Sequence, residues 1–367
     1  MRKNKKYDIG IIGATMNGDY GLTASYLGLY EFMSKYMKYK TTIIPPGKNM
    51  KWQEETVALF KEMCDCRNKI ALTSYHEYQK IINIFLLGPG ALWDYTKYSG
   101  KESDYLSYLN FLHNNTKRIS YSTTFLEDYP TVLIGHPEKM DEYTNLLVKF
   151  SGLGVACDTD KECLKEYHEC DASVCVIDPI FLPKIQFWGN MIKNKKYNRE
   201  QNIVLYPLNN ISRIETANNV SKHMNIPNKK IATGHLYDCQ VLSDRTIVLD
   251  DLEYVNPPES PMAFKKWLES IFNCKYLMCA DYYSLCFAII FKKNFIIFDD
   301  VEDNRIGYLI KRLGIKDRVV KNYEDEKIKE LFNTSINYNE IYKKLTEYRK
   351  ESIIWLYKTI NNIKKGL

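Results

Sequence analysis

The turn Gly13-Ala14-Thr15-Met16-Asn17-Gly18-Asp19-Tyr20-Gly21 stands between a short apolar run and a helical pattern. Backbone N–H groups at such a helix start can face a ligand. Gly13 and Gly18 satisfy GxxxxG, but Asp19 and Tyr20 occupy the positions where a P-loop needs Lys and Ser or Thr. A triphosphate would meet a carboxylate instead of an ammonium, so a P-loop is excluded. The dinucleotide pattern G-x-G-x-x-G is absent too. What remains is either a turn in which Asn17, Gly18, Asp19 and Tyr20 line a ligand, or glycines that serve only the tight turn.

A second group, Asp300, Asp303, Asn304 and Arg305, follows the apolar run Asn294 to Phe298. The carboxyl end of a strand is where open α/β sheets place ligands, although a capped loop-to-helix turn would read the same way. Cys157, Cys163, His168 and Cys170 cluster, but the spacing C-x5-C-x4-H-x-C is unlike zinc sites, and Cys64-Asp65-Cys66 is one isolated CxC. No H-E-x-x-H, G-x-S-x-G or EF-hand pattern occurs. The sequence therefore predicts no metal and no resident cofactor.

These residues need elements to hold them, and length and composition bound what those can be. The chain has 367 residues, 26% of them charged and 45% apolar. With a mean hydropathy of −0.38, it is an ordinary globular chain long enough for two domains. The net charge of +6 is too slight and dispersed to argue for nucleic acid. It suits anionic partners such as phosphorylated metabolites or lipid headgroups. Ten cysteines, mostly inside apolar runs, read as reduced thiols of a cytoplasmic protein. The start carries no secretory signal pattern, and the apolar stretches Ile81 to Trp93 and Tyr276 to Phe291 are too short to span a bilayer.

Apolar β-rich runs alternate with helical patterns. Strands are expected at Tyr7 to Gly13, Thr41 to Ile44, Ile81 to Leu87, Arg118 to Thr123, Leu153 to Cys157 and Ser173 to Ile177. Between the first two, Leu22, Tyr26, Leu29, Met33 and Tyr36 mark one face of a helix from Tyr20 to Tyr36. After the basic segment Met191 to Asn202 the pattern restarts, with strands at Ile203 to Tyr206, Lys230 to Thr233, Thr246 to Leu249, Tyr276 to Ala280 and Asn294 to Phe298. A helix from Ser260 to Phe272 has Pro261 at its first position. This is βαβ grammar, and it predicts an α/β protein of two Rossmann-like domains, 1–190 and 191–336, facing one cleft. A final helix, Asn337 to Lys365, occupies 337–367. Its apolar stripe faces protein, and its Lys and Arg face either solvent or an anionic membrane surface.

Several segments in order resemble the bacterial polysaccharide pyruvyltransferases. They are the Asn-containing glycine loop and helix Asn17 to Tyr30, Gly88-Pro89-Gly90-Ala91-Leu92-Trp93, Arg118-Ile119-Ser120-Tyr121-Ser122 and Val176-Ile177-Asp178-Pro179. In the second half they are Ser260-Pro261 with Phe264 and Trp267, Phe287 to Phe291 with Phe295-Ile296, Asn304-Arg305-Ile306, and Leu313 to Val320. Their colinearity covers about 300 residues. The resemblance implies a GT-B-like pair of domains and transfer of an enolpyruvyl unit from phosphoenolpyruvate to a sugar hydroxyl, forming a ketal. That chemistry asks for an acid near neutrality and for cations on a carboxylate and a phosphate.

The resemblance breaks where that chemistry sits. The family's Asp-Ser-Phe-His-Gly segment reads Asp281-Tyr282-Tyr283-Ser284-Leu285, which puts Tyr283 in place of the histidine. Where the family carries Val-Arg-Glu, this chain has Val155-Ala156-Cys157. The catalytic candidates are then Tyr283, Asp281 and the loop imidazole of His235. The substrate-binding candidates are Asn17, Gly18, Asp19, Tyr20, Gly88, Gly90, Trp93, Tyr282, Ser284, Asn304 and Arg305. Tyr283 reads as a packing or sugar-stacking ring, or as an acid. The leading expectation is a pyruvyltransferase-like enzyme of surface glycan assembly, acting on a sugar or lipid-linked glycan. Its rivals are a GT-B-like glycosyltransferase with a nucleotide-sugar donor and an inactive glycan-binding relative.

Overall fold

The computed structural model describes residues 6–13, 19–44, 75–93, 108–125, 137–192, 200–206, 210–232, 252–254, 261–300, 303–321 and 323–366. Two parallel sheets organise them. The first is built from β1 (Tyr7–Ile12), β2 (Thr41–Ile44), β3 (Ile82–Leu87), β4 (Gly90–Trp93), β5 (Lys117–Phe125), β6 (Leu153–Val155) and β7 (Val174–Cys175). Its order is β2-β1-β3-β5-β6-β7, with β4 beside β5. The second uses β8 (Glu200–Tyr206), β9 (Asn228–Ala232), β10 (Leu252–Tyr254), β11 (Cys274–Cys279), β12 (Asn294–Phe298) and β13 (Val319–Val320), in the order β10-β9-β8-β11-β12-β13. Strands covered on both faces read as continuous apolar runs, as in Ile203-Val204-Leu205 and Phe295-Ile296-Ile297. The fold is thus the expected α/β pair of Rossmann-like units. The expected strand Thr246 to Leu249 lies outside the described residues.

Two features of the first sheet depart from the expectation. β4 was not expected; Gly90, at φ 109°, lets the chain turn into it straight after β3. β5 runs two residues beyond Thr123, and its pairing with β6 shifts register around Ser122, whose φ is +56°. This is a bulge, which bends a strand locally.

The helix α1 (Tyr20–Glu31) was expected to be amphipathic, yet every residue from Tyr20 to Leu29 is buried. One side meets the turn Pro179–Phe181 and the other meets α7 (Tyr282–Ile290) of the second half. A Cβ on Gly28 would lie 2.4 Å from the carbonyl oxygen of Pro179, so only glycine allows that approach. The helix closes in a π-helical turn, Phe32–Tyr36, which carries Tyr36 out to solvent. The remaining helices are α2 (Pro137–Leu147), α3 (Asp158–His168), α4 (Ile185–Gly189), α5 (Ile211–Met224), α6 (Pro261–Asn273), α8 (Asn304–Leu313), α9 (Asp325–Asn333) and α10 (Tyr338–Lys365).

The last helix begins where expected, because the side chain of Asn337 accepts from the N–H of Glu340. Its 28 residues span about 42 Å and touch both halves. At its start the Tyr342 hydroxyl donates to the carbonyl of Ile290 (2.9 Å). Midway, Ser352 Oγ accepts from the N–H of Ile177 (2.8 Å), and Arg349 donates to the carbonyl of Leu182. Farther on, Trp355 covers Gly152 and Gly154. One apolar core runs continuously from Ile9 and Tyr26 of the first half through Trp267 and Phe287 of the second to Ile363. Ser352, a polar residue buried among the apolar ones of this helix, joins Arg349 and Trp355 in tying it to the first half.

Candidate functional site

Four aspartates stand just beyond strand carboxyl ends, and each caps the turn that follows. Asp19 precedes α1 and accepts from the N–H of Leu22 (2.8 Å). Asp178, beyond β7, accepts from that of Ile180 (2.9 Å). Asp281, beyond β11, accepts from that of Ser284 (2.7 Å), and Asp303, beyond β12, from that of Arg305 (2.9 Å). A carboxylate at a helix start satisfies an orphan donor and complements the helix dipole, so ordinary capping places all four. The two sheets meet carboxyl end to carboxyl end, and the four caps converge.

Arg305 lies at the centre. Its guanidinium grips Asp303 through two nitrogens, at 3.0 Å to Oδ1 and 2.7 Å to Oδ2. A third nitrogen donates to the Tyr283 hydroxyl at 3.3 Å. The same group lies 4.4 Å from the ring centre of Tyr282 and 5.2 Å from that of Tyr283, a planar cation held against two aromatic faces. Behind it, the Ser25 hydroxyl donates to Asp178 at 2.6 Å. The halves touch directly at Gly21, where a Cβ would lie 2.0 Å from the Tyr283 ring.

Two of these carboxyls, Asp281 and Asp178, are held above the usual carboxylate range. Burial, and then the nearby charges of Asp19 and Asp303, push the Asp281 carboxyl up to about 7, against hydrogen bonds from Ser284 that favour its ionised form. Burial also raises Asp178. Asp281 can therefore hold or release a proton near neutrality, as a general acid or base must. For Tyr283, burial and the neighbouring aspartates outweigh Arg305 and hold the phenol well above its usual range. A buried phenol so shifted is a poor proton donor, and its ring serves instead as the contact between the two halves.

Of the residues expected to form the site, Asp19, Tyr20, Asp281, Tyr282, Tyr283, Ser284 and Arg305 are brought together at this junction. Asn17, Gly18 and His235 lie outside the described residues. Several were expected to face a ligand and instead frame the site. Tyr20 packs on Phe264 and Trp267, and Ser284 is fully buried in the capping box of α7. Gly88 closes on Tyr26, whose hydroxyl donates to the Pro89 carbonyl (3.1 Å), and Gly90 pairs with Thr123. Trp93 is wholly buried against Phe125 and Phe150, so its indole belongs to the core and is no platform for a sugar. Asn304 is exposed and borders a cavity of about 480 Å³ between α8 and the start of α3. Lys311 and Asp158 pair across that cavity at 3.0 Å.

Two site residues were not among the catalytic or binding candidates: Asp178, which the sequence offered only as a strand end, and Asp303, which it placed in the group after Phe298 as either a ligand site or a capped turn. For Asp178 the available signal was an Asp directly after the apolar pair Val176-Ile177 and just before Pro179, the pattern of a capped turn. The guanidinium that the resembled family carries at the position of Ala156, already missing from this sequence, has a counterpart at the junction in Arg305, from another segment. Among the described residues, no cluster of three or more His, Cys, Asp and Glu is arranged to hold a metal, and no helix is long and apolar enough to cross a membrane.

No protein-family model matches this sequence, and no curated protein matches it either. Solved structures do match it, over nearly its whole length. An alpha-glucosyltransferase in complex with UDP and a 13-mer DNA aligns with a TM-score of 0.57 and 11% identity, over 97% of this chain and 100% of that one. The S. aureus MnaA–UDP co-structure aligns at 0.56 and 12%, over 97% of each chain. The UDP-GlcNAc 2-epimerase of Methanocaldococcus jannaschii, in complex with UDP-GlcNAc and UDP, aligns at 0.52 and 12%, over 95% of this chain and 99% of that one. The chain has the GT-B-like fold that these structures share.

Proposed function

We propose that this protein binds a sugar nucleotide between its two sheets and transfers the sugar to a glycan acceptor, with Asp281 as the acid–base group. The observation that carries this reading is the charge of the junction. Asp281 lies near Asp19 and Asp303, Asp178 lies near Arg305 and Asp303, and Asp303 engages Arg305. Carboxylates accept hydrogen bonds from sugar hydroxyls, and an uncharged sugar ring suits such a site. Phosphoenolpyruvate, a compact anion with its carboxylate next to its phosphate, would enter beside these acids, and among the described residues of the junction the guanidinium of Arg305 is already engaged by Asp303. Three neighbours of the same fold, each determined with UDP, support a nucleotide as the group that carries the sugar. The pyruvyl reading drawn from sequence therefore gives way to its nucleotide-sugar rival.

The test is thermal unfolding against UDP, a panel of UDP-sugars and phosphoenolpyruvate, each at the same concentration. A ligand present at 100 times its Kd stabilises by about 2.7 kcal/mol, a shift of a few degrees for a chain of this size. UDP and at least one UDP-sugar are expected to raise the melting temperature, and phosphoenolpyruvate to leave it unchanged. A rise with phosphoenolpyruvate alone would overturn the assignment.

A further inference from the structure

Six large apolar side chains are exposed among the described residues, and four of them gather on one face: Tyr36, Ile185, Ile354 and Tyr357. Contacts made by their neighbours bring the segments that carry them together. The N–H of Lys184 donates to the Tyr36 hydroxyl, Arg349 of α10 reaches Leu182, and Lys364 lies 4.1 Å from the ring centre of Tyr39, which also feels Tyr357. The face is basic. Lys35, Lys38, Lys184, Lys350, Lys358 and Lys365 are all exposed around it. Glu351 is the last acid in the sequence, and it is turned to Arg312. The other acids at this face are Asp8, which accepts from the N–H of Lys40, Glu31, which lies beside Lys35, and Glu347, exposed one turn before Lys350 on α10 and outnumbered there by Lys343, Lys350, Lys358 and Lys365.

We infer that this face docks the protein on an anionic lipid bilayer. Lysines alone would fit any polyanion. The exposed aliphatic pair Ile185 and Ile354, with tyrosines beside them, selects a bilayer, because apolar side chains gain from entering the headgroup boundary while the lysines meet lipid charge. The aromatic pair has the amphipathic character favoured at that depth. The edge of the face at Tyr39 and Lys40 lies at the amino ends of β1 and β2, whereas the aspartate junction lies at strand carboxyl ends. The inference stands apart from the sugar-nucleotide reading, and its readout is binding alone.

The test is co-sedimentation of the full chain with vesicles of phosphatidylglycerol and phosphatidylcholine, compared with phosphatidylcholine alone. Capture is expected only by the anionic vesicles, with release as salt rises and screening shortens to within about 8 Å. The triple variant K350A/K358A/K365A should bind about 10²-fold more weakly, at about fivefold per lysine. The variant I354S/Y357S should also bind at least tenfold more weakly, with an unchanged unfolding midpoint as the fold control. Equal capture by both vesicle types, or none, overturns the inference. An I354S/Y357S protein that binds like the parent overturns the bilayer as partner and leaves only a charge contact.

Discussion

Gly21→Ala is expected to lower stability by about 2–3 kcal/mol, near the upper end for overpacking. The new methyl would fall 2.0 Å from ring atoms of Tyr283 and 2.4 Å from its Cβ. Neither can give way cheaply, because the first turn of α1 is fixed by Asp19 and the ring is held by Arg305. The loss comes from forcing the two halves apart at their closest approach, so it should be relieved in part by Tyr283→Ala and hardly at all by Tyr283→Phe, which keeps the ring. Urea unfolding of the single and double variants checks this. Additive losses from Gly21→Ala and Tyr283→Ala would mean that the two residues do not meet.

Asp281→Asn is expected to act on turnover and on pH dependence together. Asparagine caps a helix as well as aspartate does, so the fold is retained. Loss of the ionisable group should cost about 10²- to 10⁴-fold in rate of sugar transfer if it serves as the acid–base group. The stability effect has a definite sign. The folded carboxyl titrates at about 7 instead of its ordinary 3.8, so the native state holds a proton that the unfolded chain has released. That contribution is fully present below about 4 and is lost as pH rises through 7. The parent should therefore weaken between pH 4 and 7 relative to Asp281→Asn, with the gap levelling off above 7. A constant gap across that window would show that Asp281 titrates normally.

The fold was legible because its physics is local and repeated. Apolar runs such as Ile203 to Tyr206 and Asn294 to Phe298 are of strand length and separated by helical periods. Asn337 and the stripe from Ile341 to Ile363 marked α10 almost to the residue. What escaped depends on contacts between distant segments. The pattern of α1 predicts one buried face, and its full burial comes from α7, which lies some 260 residues away in sequence. Trp93 in a glycine-rich turn looked like a ligand platform, and only the side-by-side pairing of β4 and β5 explains why it turns inward. The aspartate junction was half legible. Asp19, Asp281 and Arg305 stand in recognisable loops, whereas the raised carboxyl of Asp281 comes first from its burial and then from the Asp19 and Asp303 charges that a loop of each half brings beside it, neither of which the sequence shows.

The central claim is that a sugar nucleotide sits between the two sheets and touches both halves at this junction. Hydrogen exchange measured with and without a UDP-sugar tests it most directly, because the amides of Leu22 and Ser284 sit on Asp19 and Asp281, one in each half. The account predicts that a UDP-sugar slows exchange in the first turns of α1 and α7 together, and that phosphoenolpyruvate slows neither. Protection by phosphoenolpyruvate at both turns, with none from any UDP-sugar, would contradict it.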